Sequence, residues 1–169
     1  GKISPTSAAH VEADLGQKIN LILDGGAASV GVESTIVKVE EDGRVRLLRP
    51  GGVVTAEIER VAGKRLERSE KAAAAIEAPG MLASHYAPGA AVRLNATSVS
   101  PGEALIRFEG IPVAGEETAR AVFDLSPSGD LSEAAANLFD YLKAADASGA
   151  DSIAITSIPT HGLGEAIKD

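Results

Sequence analysis

Cysteine is missing from all 169 residues, so neither a disulfide framework nor a cysteine-held zinc can brace or equip this chain. Tryptophan is missing as well, and the two tyrosines and three phenylalanines amount to 3% of the sequence. A core must therefore be assembled from Ala, Val, Leu and Ile, which suits a parallel or mixed sheet covered by helices. No apolar run is long enough to cross a bilayer, and no signal-peptide pattern is visible. A cytoplasmic protein without a membrane partner is the expectation.

Positive charge is scarce in the second half. Residues 1–88 carry 11 Lys and Arg against 12 Asp and Glu, and residues 89–169 carry 5 against 12, so the overall −8 divides into −1 and −7. Affinity for a phosphate backbone rests on Lys and Arg. The acidic half is therefore expected to bind nucleic acid weakly or not at all.

What is present is enough apolar material, 44% of the residues, for one large or two small domains. The densest information lies between Leu21 and Gly52, where β-type runs meet glycine-rich turns. Glu33-Ser34-Thr35 and Arg49-Pro50-Gly51-Gly52 sit at strand ends, where polar groups and glycines suit an anion or nucleotide site. A plain meander with ordinary turns fits the same spacing. Residues 26–31, Gly-Ala-Ala-Ser-Val-Gly, imitate the start of a phosphate loop, but Val32 and Glu33 stand where Lys and Ser or Thr are required, so that loop is excluded.

Periodicity sets out the rest. A short helix is expected over Thr6–Leu15 with Gly16 just beyond it, then a buried strand at Leu21–Leu23. A strand from Thr35 to Val39 turns at Glu41-Asp42-Gly43 into a second through Val45, Leu47 and Leu48. Thr55 is placed to cap a helix with Ile58, Val61 and Ala62 as its stripe and Gly63 as its stop. Charged, alanine-rich sequence comes next and reads as a linker, with Pro88-Gly89 marking a new boundary. Beyond it, strands are expected at Ala91–Leu94, Ala104–Phe108, Ala121–Leu125 and Ser152–Thr156. The strongest helix runs over Leu131–Ala147, with Asp130 as N-cap and Glu133 reaching back in a capping-box variant. A last short helix is expected within Gly162–Lys168.

Five blocks in order carry a family resemblance. They are Ser4-Pro5-Thr6 with His10-Val11 and Asp14-Leu15-Gly16; Leu23-Asp24-Gly25-Gly26; the run from Val30 to Val37 around Glu33-Ser34-Thr35; Leu48-Arg49-Pro50-Gly51-Gly52; and the run from Ala78 to Pro88. Together they resemble the threonylcarbamoyl-adenylate synthases, the YrdC-type enzymes of tRNA modification, in their longer two-domain form. From Gly89 on, the likeness is one of position and character. The resemblance implies an α/β fold: the C-terminal part of a YrdC-like domain at 1–65, a linker at 66–88, and a small Rossmann-like three-layer αβα domain at 89–169. Family segments Lys-x-Arg and Ser-x-Asn would lie upstream of Ser4, so the chain is expected to be a fragment that carries part of its site and is inactive alone.

What the resemblance implies about chemistry is specific. ATP, L-threonine and bicarbonate would give threonylcarbamoyl-AMP and pyrophosphate, with Mg²⁺ on the phosphates and a tRNA threonylcarbamoyl-transfer machinery downstream. Arg49 and Thr6 would serve ATP, and Ser34 would face threonine. His85 and Tyr86, in the linker, would form a lid, with Tyr86 also on ATP. No covalent enzyme intermediate is implied, and Ser34 lacks the histidine and acid of a nucleophilic serine. His10, His85 and His161 are too scattered to suggest a metal trio. A reading of another class, a non-enzymatic RNA-binding or translation-associated protein with a regulatory nucleotide-binding domain, is disfavoured by the acidic balance.

Overall fold

The computed structural model describes residues 3–68 and 89–169. It is an α/β structure with two sheets. Helix α1 (Ala8–Leu15) leads to an extended stretch, then strands β1 (Ile36–Val39) and β2 (Val45–Arg49), helix α2 (Thr55–Ala62) and the short strand β3 (Glu67–Arg68). The first sheet has the order β1-β2-β3, with β1 antiparallel and β3 parallel to β2. Its strand β3 lies just inside the stretch from residue 66 that was expected to be linker.

Local chemistry explains these elements. The expected turn at Glu41-Asp42-Gly43 forms, with Gly43 at φ +78 and its N–H donating to the Glu40 carbonyl at 2.9 Å. Along β2, Val45, Leu47 and Arg49 alternate onto the buried face, and the first two pack with Leu66. Gly63 ends α2 in the left-handed region at φ +67.

Three expectations fail here. Leu21–Leu23 forms no strand, and Leu21 and Leu23 are 74% and 86% exposed. Periodicity marked them as apolar, but a strand exists only through a paired neighbour, and none of the described residues supplies one. Val54, not Thr55, is the N-cap of α2; Thr55 is its first helical residue, and the Thr55 hydroxyl donates to Glu165 Oε2 at 2.9 Å. Val61, assigned to the buried stripe, is 79% exposed, leaving Ile58 to pack against the first sheet.

Beyond residue 88 come β4 (Ala91–Arg93), β5 (Ala104–Arg107), a 3-10 turn at Glu116–Thr118, β6 (Ala121–Asp124), α3 (Leu131–Ala147), β7 (Ser152–Ile155) and α4 (Gly164–Ile167). All four strands are parallel, in the order β4-β7-β5-β6. Helix α3 lays Ala134, Ala135, Leu138, Phe139, Leu142 and Ala145 on Ala104, Ile106, Ile153 and Ile155, and α4 adds Ile167 on the same side. The opposite face, Leu105 and Ala154, is covered by Ala96, Val99 and Val113 from loops. Among the described residues, loops thus occupy the place where a three-layer sandwich has its second helical layer.

Two polar groups are buried in this unit by construction. Asp130 caps α3, its Oδ1 accepting from the Ser132 N–H at 2.8 Å. Glu133 does not reach back to the cap; it accepts from the Ser126 hydroxyl, whose oxygen in turn accepts from the Asp130 N–H at 2.9 Å. Buried Ser126 thus does what the capping-box glutamate was expected to do. Glu103 is held by Arg93, the Ser100 N–H and Ser152, with Arg93 Nη2 at 2.6 Å, and this hydrogen bonding brings its carboxyl from 4.5 to about 2.

The two units pack together. Ile3 and Val32 join the core under α3, and Gly31 lies directly on that helix. A Cβ at Gly31 would stand 2.3 Å from the Ala135 carbonyl oxygen and 2.5 Å from that of Ala136. No other residue type fits there without moving the backbone.

Candidate substrate site

The end of β2 presses against the residues that lead into β1. A Cβ on Gly51 would meet Glu33 O, Ser34 C and Thr35 N, each at 2.4 Å, so the Pro-Gly-Gly turn touches the Glu-Ser-Thr backbone directly. The Gly52 N–H donates to the Glu33 carbonyl at 2.9 Å. Thr35 Oγ1 donates to the Val53 carbonyl at 2.7 Å and accepts from the Val53 N–H at 3.0 Å. The two sequence blocks form one backbone junction.

A break in the pairing register sets the side chains. Val37 pairs with Leu47, but Ile36 pairs with Arg49, so Leu48 is an extra residue on β2. A bulge of this kind re-aims the side chains beyond it, and here it brings Arg49 level with the start of β1. Arg49 is 7% exposed, and its Nε and Nη2 donate to the Ser34 carbonyl and the Ser34 hydroxyl, each at 3.0 Å. The same Nη2 is 3.8 Å from Glu33 Oε2. The guanidinium edge with two parallel donors, expected to face a phosphate, is directed at Ser34.

Glu33 connects this junction to the first block, because the Ser4 hydroxyl donates to its Oε1. Thr6, two positions on, holds the extended stretch through its carbonyl, which accepts from the Ala28 N–H at 2.8 Å. The N-cap of α1 is Ser7, whose hydroxyl accepts from the His10 N–H at 3.4 Å. Thr6 is thus not the cap. Its N–H donates to His10 Nδ1 at 3.2 Å, and its hydroxyl is also 3.2 Å from that nitrogen.

Arg49 and Ser34 are therefore in direct contact, and Ser4 joins Thr6's segment to them through Glu33. His85 and Tyr86 lie outside the described residues. Among the described residues no three His, Asp or Glu side chains stand close enough together to hold an ion. Three participants lay in the sequence blocks but were given no individual role there: Ser4, Glu33 and His10. For His10 a signal existed in its four-residue distance from Thr6, which places the two side by side where a helix begins. Glu33 and Ser4 are 29 positions apart, and no periodicity connects them.

A family model described as the C-terminal domain of threonylcarbamoyl-AMP synthase matches residues 53–169. A second, for Sua5, YciO and YrdC proteins and described as telomere recombination, matches residues 1–51. Threonylcarbamoyl-AMP synthase from Pyrococcus abyssi is 38% identical across all of this chain and 53% of its own length. The one from Bacillus subtilis is 37% identical across all of this chain and 52% of its length. The crystal structure of P. abyssi Sua5 complexed with L-threonine superposes with a TM-score of 0.79 at 34% identity, covering 99% of this chain and 53% of that one. A variant of that protein with a histidine and the following tyrosine replaced by alanine gives 0.71 at 28% identity, over 99% of this chain and 50% of that one. The chain spans about half the length of the relatives it matches. Since the helix-covered parallel sheet lies wholly within the larger match, which takes in more than half of the residues, the chain belongs to the threonylcarbamoyl-AMP synthase family.

Proposed function

We propose that this chain works within an enzyme that makes threonylcarbamoyl-AMP from ATP, L-threonine and bicarbonate, releasing pyrophosphate. The observation that carries this reading is the Ser34–Arg49 junction, in which two family blocks close on each other through backbone and side chain. The relatives' name and the threonine in the P. abyssi complex supply the substrate class.

Chemically, the threonine amine adds to carbon dioxide derived from bicarbonate, giving a carbamate and releasing water overall. A carbamate oxygen then attacks the α-phosphorus, and the bond to the β-phosphate oxygen breaks to free pyrophosphate. The protein's part is alignment and charge stabilisation. In this reading the Ser34 hydroxyl meets threonine. Arg49 fixes that hydroxyl and contributes positive charge beside the ATP phosphates, while Thr6 serves the nucleotide from the other block. Mg²⁺ accompanies ATP, with no step assigned to it.

In this reading His85 and Tyr86 are assigned to a lid over the nucleotide. The alanine-substituted P. abyssi protein supports attention to this pair, because His85-Tyr86 is the one His-Tyr sequence in the chain. The product passes to a tRNA threonylcarbamoyl-transfer machinery in the cytoplasm, and the acidic residues 89–169 contribute little tRNA affinity. No helix among the described residues is long and apolar enough to cross a membrane. Pyrophosphate release by the full-length protein, with and without threonine and bicarbonate, is the test. Dependence on both is expected, and release indifferent to threonine would overturn the reaction class.

A further inference from the structure

Helix α3 meets the first unit along one line of residues. Ala136, Asp140 and Lys143, spaced four and three apart, share a helix face. The Ala136 carbonyl lies against Gly31, Asp140 Oδ1 is 3.1 Å from His10 Nε2, and Lys143 Nζ is 3.2 Å from Asp14 Oδ2. Helix α1, just after the Ser4-Pro5-Thr6 block, is thereby held to the C-terminal unit at both His10 and Asp14.

The His10 contact has a direction. A backbone N–H can only donate, so the Thr6 N–H requires His10 Nδ1 to be an acceptor with no hydrogen of its own. In the neutral ring the hydrogen then sits on Nε2, where the Asp140 carboxylate accepts it. The Thr6 hydroxyl lies 3.2 Å from the same Nδ1 and can only share its one lone pair with the Thr6 N–H, which keeps the hydroxyl oxygen beside the ring. Asp140 and the Thr6 N–H favour the same tautomer, so Asp140 holds from the far side the ring that orients Thr6.

We propose that Asp140, on the main helix of the C-terminal unit, is a positioning residue for the nucleotide side of the site, acting on Thr6 through His10. The proposal rests on the assignment of Thr6 to ATP given above. It gives the C-terminal unit a part in substrate binding without any residue of its own touching substrate. Asp140 is suited to testing because its side chain is 56% exposed, so its replacement leaves the core intact.

The test uses the full-length enzyme. Asp140→Ala is expected to raise the KM for ATP about fivefold while leaving kcat within about twofold, the loss of one orienting hydrogen bond. Asp140→Asn, whose amide oxygen accepts from Nε2–H, is expected to restore the KM. Lys143→Ala removes the neighbouring ion pair without touching His10 and is expected to leave the KM unchanged. A KM indifferent to Asp140→Ala, an Asn variant as impaired as the Ala variant, or an equal effect of Lys143→Ala would each overturn the relay. Nitrogen-15 NMR of the imidazoles, with His10 assigned through His10→Gln, gives a readout that needs no turnover. A hydrogen on Nε2 and none on Nδ1 supports the relay, and the opposite tautomer overturns it. Absence of threonine-dependent pyrophosphate release would instead count against the reaction, with the tautomer still read independently.

Discussion

Arg49 holds Ser34 at two points, donating from Nε to its carbonyl and from Nη2 to its hydroxyl at 3.0 Å each. One planar cation thus sets both the backbone and the side chain of the residue assigned to threonine. Lysine has one nitrogen on a flexible stem and cannot reproduce the pair. Arg49→Lys is expected to slow threonine-dependent pyrophosphate release by the full-length protein at least about tenfold. Near-normal turnover in that variant would show that the two-point grip is dispensable.

Gly51 offers a test of the junction that involves no charge. The methyl of Gly51→Ala would overlap three backbone atoms of Glu33, Ser34 and Thr35, none of which can rotate away. A loss of about 1–3 kcal/mol is expected, the usual cost of forcing extra volume into a packed site. Thermal unfolding should register it as a drop of several degrees. An unchanged melting temperature would mean that the two blocks do not meet as described.

Under α3, Leu138 is buried between the helix and the parallel sheet. Leu138→Ala removes that packing and leaves a cavity, for an expected loss of about 2–5 kcal/mol. Urea titration should show the midpoint falling, with the slope little changed. Retention of the midpoint would place the core elsewhere.

The Glu103 carboxyl lies well below its ordinary value, at about 2, chiefly because Arg93 donates to it. A depressed folded-state value means that this group adds stability above about pH 4.5, and that the contribution fades as pH falls toward 2. Glu103→Gln cannot titrate. Its stability should therefore be lower than the parent's at neutral pH, with the gap narrowing between pH 4.5 and 2. Parallel acid-unfolding curves for the two proteins would contradict the linkage.

Tyr86→Ala is expected to weaken ATP binding by the full-length protein, and Ser84→Ala to have a mild effect. Calorimetric titration with ATP distinguishes the two. Unchanged affinity in the tyrosine variant would remove Tyr86 from the nucleotide site.

Much of the fold is legible in local sequence. The helix at Leu131–Ala147 matches its expected bounds, because a one-sided stripe, an aspartate before it and a glycine after it agree. The strands β4 to β7 fall where short apolar runs lie between turn signals. The same reasoning misjudged Leu21–Leu23 and Val61, since apolar character states what a residue favours and not what it will touch. It placed Arg49 and Ser34 in separate blocks with separate ligands; their contact depends on the extra residue at Leu48, which alternation does not reveal.

Local sequence by itself decided where chain segments start, stop and turn, because caps, glycines and periodic stripes act over a few residues and carry their physics with them. Tertiary structure alone decided who meets whom: Ser4 with Glu33, Thr55 with Glu165, and His10 with Asp140. Those contacts join residues far apart in the chain: the first forms within the N-terminal unit, and the other two only where that unit packs onto the C-terminal one.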